Sequence, residues 1–473
     1  MSASDSQSPS QTHGAGPRAV LDLHMAVAII IGIVIGAGIF KAPSLVAGMT
    51  GSPGWMFTAW LLGGAISLIG ALCYAELATS HPHAGGDYHF LNRAFGRQVA
   101  LVFAWARFSV ITTGSIALLA FVFGDYLAAV LPLAALPHEW TSAAYAAAAV
   151  LVLTLTNLRG IRAGSWTQVL LTGVQVVGLL LIVLAAIFIA GDGNLASSPT
   201  PASAAAASTP SLAAFGLAMV FVLLTYGGWN EAAYISAELK NPRRNMVRAL
   251  VYSIAFITGL YLLVNWAYWY GLGISGMAAS NAVAADLLAR AFGSTGSTLV
   301  SLLVAVAALT SINATIIVGA RTSYAAGQDW PLLARLGEWD SQRSTPRNAL
   351  WVQCAAALLL IGIGAGVGGG FRAMVEFTSP IFWLFFLLTG LALFVLRRRE
   401  PDIERPFRVP FYPVLPLLFC AMCTYMLYSS LSYVSSQTLG GFNAAWIGVG
   451  VLAIGVLLVV FMRPALREAL SQT

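Results

Sequence analysis

Two glycine clusters lie where uninterrupted apolar helices are expected. The first is Gly36-Ala37-Gly38 in IIIGIVIGAGIFKAPS (29–44). The second is Gly227-Gly228 in LLTYGGWNEAAY (223–234). Glycine weakens a helix, and in hydrocarbon each freed backbone group is costly unless it faces a ligand or a cavity. The N-terminus of a half-helix carries about +0.5 of an elementary charge and unpaired N–H donors, which suit a carboxylate. Freed carbonyls suit an ammonium or a metal cation. Side-chain chemistry is sparse by comparison. The six histidines (His13, His24, His81, His83, His89 and His138) lie outside the deep parts of apolar segments, against His-based acid–base or metal chemistry. The phosphate-binding pattern GxxxxGK[ST] is absent. The chain reads as a non-enzyme without cofactor.

The elements that must position these clusters follow from composition. Of 473 residues, 58% are hydrophobic and 9% charged, against roughly a quarter charged in soluble domains. About 20 apolar residues span a bilayer as a helix. That length gives twelve spans, over 25–48, 55–79, 99–131, 140–157, 165–190, 212–238, 247–272, 296–325, 349–367, 372–396, 410–436 and 442–462. Alternation suited to a β-barrel is absent, so the expected fold is an all-α integral membrane protein. Residues 1–24, rich in Ser, Pro and Gln, read as a disordered cytoplasmic tail, and 463–473 as a cytoplasmic tail at the other end. The low-complexity stretch 191–211 reads as an extracellular loop.

With the N-terminus inside, 20 of the 24 basic residues fall on the cytoplasmic side. Arg290 and Arg372 fall outside, and Lys41 and Arg107 lie within spans. The net charge of +6 is therefore topology and not a nucleic-acid signal. The four cysteines (Cys73, Cys354, Cys420 and Cys423) all sit in apolar spans and read as packing residues. Compact loops point to a plasma membrane, of the bacterial inner-membrane kind.

The two glycine clusters open corresponding halves of the chain, spans 1–5 (25–190) and spans 6–10 (212–396), with 410–462 appended. Interrupted spans at matching places point to an inverted-repeat transporter with its site at the midplane. A ligand carrying both carboxylate and ammonium is an α-amino acid. Close packing of small residues is the competing reading for Gly32, Gly36 and Gly38.

Four stretches carry a family resemblance: IGIVIGAGIFKAPS in span 1, YAELATSHPHAGGDYHFLNRAFG (74–96), TYGGWNEAAYISAELKNPRRN (225–245) and SINATIIVGARTSYAAGQDWP (311–331). Over residues 20–435 the chain resembles the amino acid–polyamine–organocation superfamily, and most closely its L-type amino acid transporter branch. The resemblance implies five plus five helices in inverted repeat, with helices 1 and 6 unwound, and exchange of neutral amino acids. It implies that the N–H groups of Ala37, Gly38 and Ile39, around Gly36, hold the carboxylate. The carbonyls of Val34, Ile35, Leu224, Thr225 and Gly227 would hold the ammonium. Leu224 stands where relatives often place an aromatic lid. Asn230 matches a polar position near the site, and Tyr226 and Trp229 are expected to shape the pocket or its gate. Thr112, Thr113 and Ser115 are further pocket candidates.

Three departures from the family pattern matter. Many relatives carry a lysine on span 5; here Gln175 takes that place, and a neutral amide can hold the span-1 carbonyls by hydrogen bonding alone. Thr310 and Ser311 stand where sodium-coupled relatives of the wider fold bind sodium, and with carbonyls of Gly32, Ile35 and Ala307 they offer five oxygens. Back-bonding within the helix would spend both hydroxyls instead. The loop 132–140 has no cysteine, so no disulfide-linked heavy chain is expected.

Charges within spans need partners or water. Glu231 is either a functional carboxylate or half of an ion pair, set about 100° from Asn230 on a resumed α-helix. Arg107 is expected in a structural pair, and Lys41 to reach toward the outer vestibule. Glu238 with Arg243 and Arg244 reads either as an inner gate or as a solvated flank. The segment HPHAGGDYHF (81–90) reads as a re-entrant or amphipathic inner loop.

Overall fold

A computed structural model describes residues 19–36, 38–133, 137–191, 209–280, 282–293, 295–367, 370–435, 438–439, 442–443, 449–450 and 452–462. The first apolar stretch forms two helices, α1 (Leu23–Val34) and α2 (Gly38–Thr50). Next come α3 (Pro53–Ser80), the short α4 (Asp87–Phe95) and α5 (Arg97–Ala106). A π-helical turn (Arg107–Thr112) joins α5 to α6 (Thr113–Val130), and α7 (His138–Leu158) and α8 (Ile161–Gly191) follow. The second half opens with α9 (Leu212–Thr225), which continues after a turn as a 3-10 helix (Trp229–Glu238). Then come α10 (Pro242–Ala279), α11 (Val283–Phe292), α12 (Thr295–Asp329), a 3-10 helix (Pro331–Gly337), α13 (Arg347–Val367), α14 (Gly370–Arg399) and α15 (Val414–Ser435). The last is α16 (Leu452–Met462).

The local causes are readable. Ser52 and Ser211 cap α3 and α9 by accepting the N–H of Trp55 and Ala214, at 3.4 and 3.1 Å. Pro53 and Pro242 sit in the first turns of α3 and α10, where a missing N–H costs nothing. Among the described residues, eight helices are long and apolar enough to cross a membrane.

Three details are added. Past the second glycine cluster the chain resumes as a 3-10 helix, not an α-helix, so Glu231 is turned about 120° from Asn230 instead of about 100°. Residues 442–462 lie only partly among the described residues, where Phe442–Asn443 pairs antiparallel with Thr438–Leu439 and an apolar helix runs over Leu452–Met462. An additional amphipathic helix, α11, buries Val283, Ala284, Leu287 and Leu288 between α10 and α12.

The two largest of four apolar clusters organise the bundle. One gathers α1, α2, α3, α9 and α10. The other joins α6, α7, α12 and α13, with α12 contributing to both. Helix α1 packs between α8, α10 and α12, while α2 lies on α9 and α10. The two interrupted elements therefore meet inside the molecule.

Candidate functional site

The first interruption is a local consequence of Ile35 leaving helical geometry (φ −76°, ψ 78°). The Ile35 N–H still reaches the Ile31 carbonyl (2.8 Å), but the Gly36 N–H folds back onto the Val34 carbonyl at 2.8 Å. The chain then restarts as α2 at Gly38. Ala37 lies outside the described residues, as does the Lys41 side chain.

The second interruption spans Tyr226–Gly228. The Gly227 N–H donates to the Leu224 carbonyl at 3.2 Å, and Gly228 takes φ +110°, a left-handed geometry that glycine adopts without strain. A Cβ on Gly228 would stand 2.5 Å from Ile33 Cγ2. Similarly, a Cβ on Gly38 would stand 3.0 Å from the Thr225 side chain and 3.3 Å from its Cα. The two breaks thus touch on both sides, and glycine at both contact points is what permits the approach.

The glycines of the first cluster separate by surroundings. A Cβ on Gly32 would overlap Gln168 Nε2 and lie 2.7 Å from Thr172 Oγ1 and Thr310 Cγ2, so Gly32 is a packing residue. A Cβ on Gly36 would meet only Ser311 Oγ, at 3.9 Å, so Gly36 faces open space.

The carbonyls expected to hold an ammonium are partly engaged. Val34 O accepts from the Gly36 N–H and lies 3.1 Å from Tyr261 Oη. Thr225 O lies 3.2 Å from the same hydroxyl. Ile35 O accepts from Gln175 Nε2, which puts Gln175 at the break. Leu224 O accepts from the N–H groups of both Gly227 and Tyr226. Ile39 is buried within the first turn of α2.

The side chains sort as follows. Asn230 is buried, and its Oδ1 has no hydrogen-bond partner among the described residues, leaving an acceptor beside the second break. Tyr226 donates to the Trp60 carbonyl at 3.1 Å and belongs to the packing around Tyr261. Trp229 turns away into an aromatic group with Tyr74, Phe386 and Phe419. Between that group and the break lies a narrow apolar crevice with only about 20 Å³ of free space, lined by Leu223, Gly227, Trp229, Phe382, Trp383 and Phe386 among others. Leu224 is 46% exposed, so nothing packs over it in this conformation. Thr113 and Ser115 donate to the carbonyls of Phe108 and Ile111, which commits both hydroxyls to backbone. Thr112 is buried in the π-turn.

The charged groups find partners that the sequence did not name. Arg107 reaches Glu231 with both terminal nitrogens, Nη1 to Oε1 at 3.2 Å, and lies 4.0 Å over the Tyr234 ring. Glu231 is therefore half of an ion pair. Glu238 does not pair with Arg243 or Arg244. Its buried carboxylate is gripped by Arg321 of α12, with Nη2 to Oε2 at 2.9 Å. The physical reason is the turn after Glu238: Asn241 is left-handed (φ 48°), and α10 departs with Arg243 on an exposed bridge to Glu404. The backbone beside Glu238 is also held, because the N–H groups of Val20 and Leu21 donate to its carbonyl at 2.9 and 2.8 Å. Arg321 was legible only as a basic flank, and Tyr261 carried no motif.

At the oxygen-rich position on α12, Thr310 back-bonds to Val306 O at 2.7 Å, and Ser311 donates to Gly32 O at 3.0 Å. One of the two hydroxyls is thus spent within its own helix. Ala307 is fully buried one turn before Ser311. In the 81–90 segment, His81 Nε2 is 2.8 Å from Glu400, and His83 and His89 stack at 4.2 Å.

A profile of the amino acid permease family matches residues 21–460. The b(0,+)-type amino acid transporter 1 of Mus musculus is 32% identical over 393 residues, covering 83% of this chain and 79% of its own length. Large neutral amino acids transporter small subunit 2 of Mus musculus is 30% identical over 409 residues, 86% of this chain and 76% of its own length. Asc-type amino acid transporter 1 of Rattus norvegicus is 29% identical over 438 residues, 92% and 81% respectively.

Proposed function

The chain belongs to the amino acid permease family, and from that premise we propose that it is a secondary transporter exchanging neutral L-amino acids across a membrane. The observation that carries the reading is the meeting of two interrupted helices, where Gly228 abuts Ile33 and Tyr261 spans the carbonyls of Val34 and Thr225. The carboxylate is bound at the start of α2 by the N–H groups of 37–39, and the ammonium by carbonyls at the ends of α1 and α9. Asn230 and Gln175 border the same space. Architecture in this reading is twelve spans, with spans 1–5 and 6–10 as inverted repeats, in a plasma membrane with both termini cytoplasmic.

Neutral substrates fit the charge accounting. Glu231, an acid adjacent to the site, is taken by Arg107. The neighbouring crevice carries no charged group and is mostly aromatic and aliphatic, though at about 20 Å³ it admits a side chain only once its lining moves. That lining suits an uncharged substrate side chain. Transport is then a two-state rocking of one core against the other, biased by bound substrate. Opening toward the Glu238 end requires the Glu238–Arg321 pair to part, since it joins the 3-10 helix to α12.

The test is uptake of a labelled amino-acid panel into liposomes that are empty or preloaded with unlabelled amino acids, without ion gradients. Exchange predicts uptake only into loaded vesicles. Uptake into empty vesicles refutes obligatory exchange. Uptake that appears only with a sodium gradient or a proton gradient replaces exchange by symport, with Ser311 and the Gly32 carbonyl as the first residues to change for sodium. Binding without movement under every condition would make the chain a sensor.

A further inference from the structure

We propose that the start of α13 carries a binding site for a phosphoethanolamine headgroup, presented by a phospholipid of the adjacent leaflet. The site is separate from the interrupted helices. It needs α13 to enter the bilayer from this end, and it does not depend on what the protein transports. An open cavity of about 440 Å³ lies where the 3-10 helix Pro331–Gly337 turns into α13. Glu338, Trp339, Asp340, Arg347, Asn348 and Trp351 line it. Its walls are built. The Asp340 and Thr345 backbones bond each other in an antiparallel bridge. Asp340 Oδ1 accepts the N–H groups of Gln342 and Arg343 at 3.0 and 3.1 Å. Asn348 Nδ2 donates to Arg335 O and to Glu338 Oε2, both at 2.8 Å, which ties α13 to the 3-10 helix. Trp339 packs on Tyr324 of α12 with ring centroids 4.9 Å apart, and its buried Nε1 has no hydrogen-bond partner among the described residues.

The lining sets two carboxylates against one guanidinium, one negative charge in excess. Arg347 is not spent on its neighbour. Its Nη1 stands 3.9 Å from Asp340 Oδ2, beyond hydrogen-bond range, and its side chain is 50% exposed. A phosphodiester suits that guanidinium. A primary ammonium brings three N–H donors, which suit Glu338 and Asp340, and its charge is attracted to the faces of the neighbouring tryptophans. A headgroup with both groups answers both signs of the lining. An anionic headgroup meets Arg347 but also two carboxylates, and a choline headgroup has the charge without an N–H donor. Position favours a lipid over a soluble zwitterion. Trp351 lies four residues into α13, about 6 Å along its axis, within a headgroup zone roughly 5–8 Å deep. It is 45% exposed, and Leu332 on the 3-10 helix is exposed as well. Tryptophan is favoured at that depth, where its ring borders both headgroup and acyl chain.

The test titrates the purified full-length protein in detergent with phosphatidylethanolamine, phosphatidylcholine or phosphatidylglycerol of identical acyl chains. Bound lipid is read by native mass spectrometry. The wild type should bind the ethanolamine lipid about threefold or more tighter than the other two. Arg347→Gln should weaken all three by roughly threefold to tenfold, because they share the phosphate. Glu338→Gln should weaken the ethanolamine lipid and strengthen the glycerol one, because it removes an ammonium partner and a repulsive charge. Its amide oxygen still accepts from Asn348. Arg335→Gln is the control: it removes a positive charge from the same segment without lining the cavity, and it leaves all three affinities at wild-type values. Equal affinities for the three lipids in the wild type, or an unchanged lipid order after Glu338→Gln, overturns the proposal. Free phosphoethanolamine that displaces the lipid at equal concentration also overturns it, by making the occupant a soluble zwitterion. If Arg347→Gln is not recovered folded, Arg347→Lys replaces it, keeping the charge and losing the fork. Unchanged affinities in that variant overturn the phosphate contact. Failure of the transport reading looks different: it shows in the uptake assay and leaves these lipid affinities as they are.

Discussion

Replacing Gly36 by alanine tests the carboxylate site with little disturbance of the fold. The added Cβ meets only Ser311 Oγ, at 3.9 Å, which is ordinary van der Waals contact. Gly36 is not in the left-handed region, so alanine there is unstrained. The thermal midpoint of the purified protein should stay near wild type. The methyl nevertheless takes up part of the open space in which the carboxylate is proposed to bind. Displacing the anion from one charge-assisted hydrogen bond loses about 1.5–3 kcal/mol, which corresponds to roughly a 10- to 150-fold rise in KM. Gly32→Ala provides the contrast. Its Cβ collides with Gln168, Thr172 and Thr310, so the expected loss is in folded yield, by about 1–3 kcal/mol of overpacking. Gly38→Val should abolish exchange, because even a Cβ stands 3.0 Å from the Thr225 side chain. The assay is amino-acid exchange in liposomes paired with thermal unfolding in detergent. A folded Gly36→Ala protein with wild-type KM would refute the placement of the carboxylate.

The Arg107–Glu231 pair is nearly buried, with side chains 3% and 12% exposed. Arg107→Met or Glu231→Leu alone should destabilise by about 3–5 kcal/mol, and the double variant Arg107→Met/Glu231→Leu should recover most of it. Additive losses in a double-mutant cycle of thermal midpoints would show that the two are not coupled. Gln175→Lys places an amine 2% exposed at the Ile35 carbonyl, so it should fold but make KM depend on pH. A flat pH profile at unchanged affinity would remove Gln175 from the break. Burial, the stacked His83 and the nearby Arg93 push the His89 imidazole from an ordinary 6.5 down to about 3. Between those values the unfolded chain takes up a proton that the folded one refuses, so stability falls as pH drops through this window. His89→Gln should flatten that acid limb of the thermal-midpoint curve, and an unaltered limb would assign it to other groups.

The breaks were legible because glycines inside an apolar run contradict the bilayer's demand for paired backbone. The resumed 3-10 geometry was not: WNEAAYISAE contains ordinary helix formers, and nothing local distinguishes three residues per turn from 3.6. Nor could the motif separate Gly32 from Gly36. They are the same residue four apart on one helix end, and only what stands opposite, the α8 and α12 side chains or open space, gives them different jobs.

Charge shows the same limit more sharply. Hydrocarbon requires that Arg107, Glu231, Glu238 and Arg321 each find a partner or water, and the sequence could state that requirement without the pairing. Proximity along the chain suggested Arg243 and Arg244 for Glu238, yet the left-handed Asn241 points those residues outward and leaves Glu238 to an arginine 83 positions away. Arg107 and Glu231 are 124 positions apart. In both pairs one member lies on the 3-10 helix that follows the second break, and the other lies on the π-turn or on α12. Two of the buried ion pairs thus tie the 3-10 helix to its neighbours. A burial rule that reads from sequence as a cost becomes, in the folded molecule, two long-range connections that hold the segment after the second break.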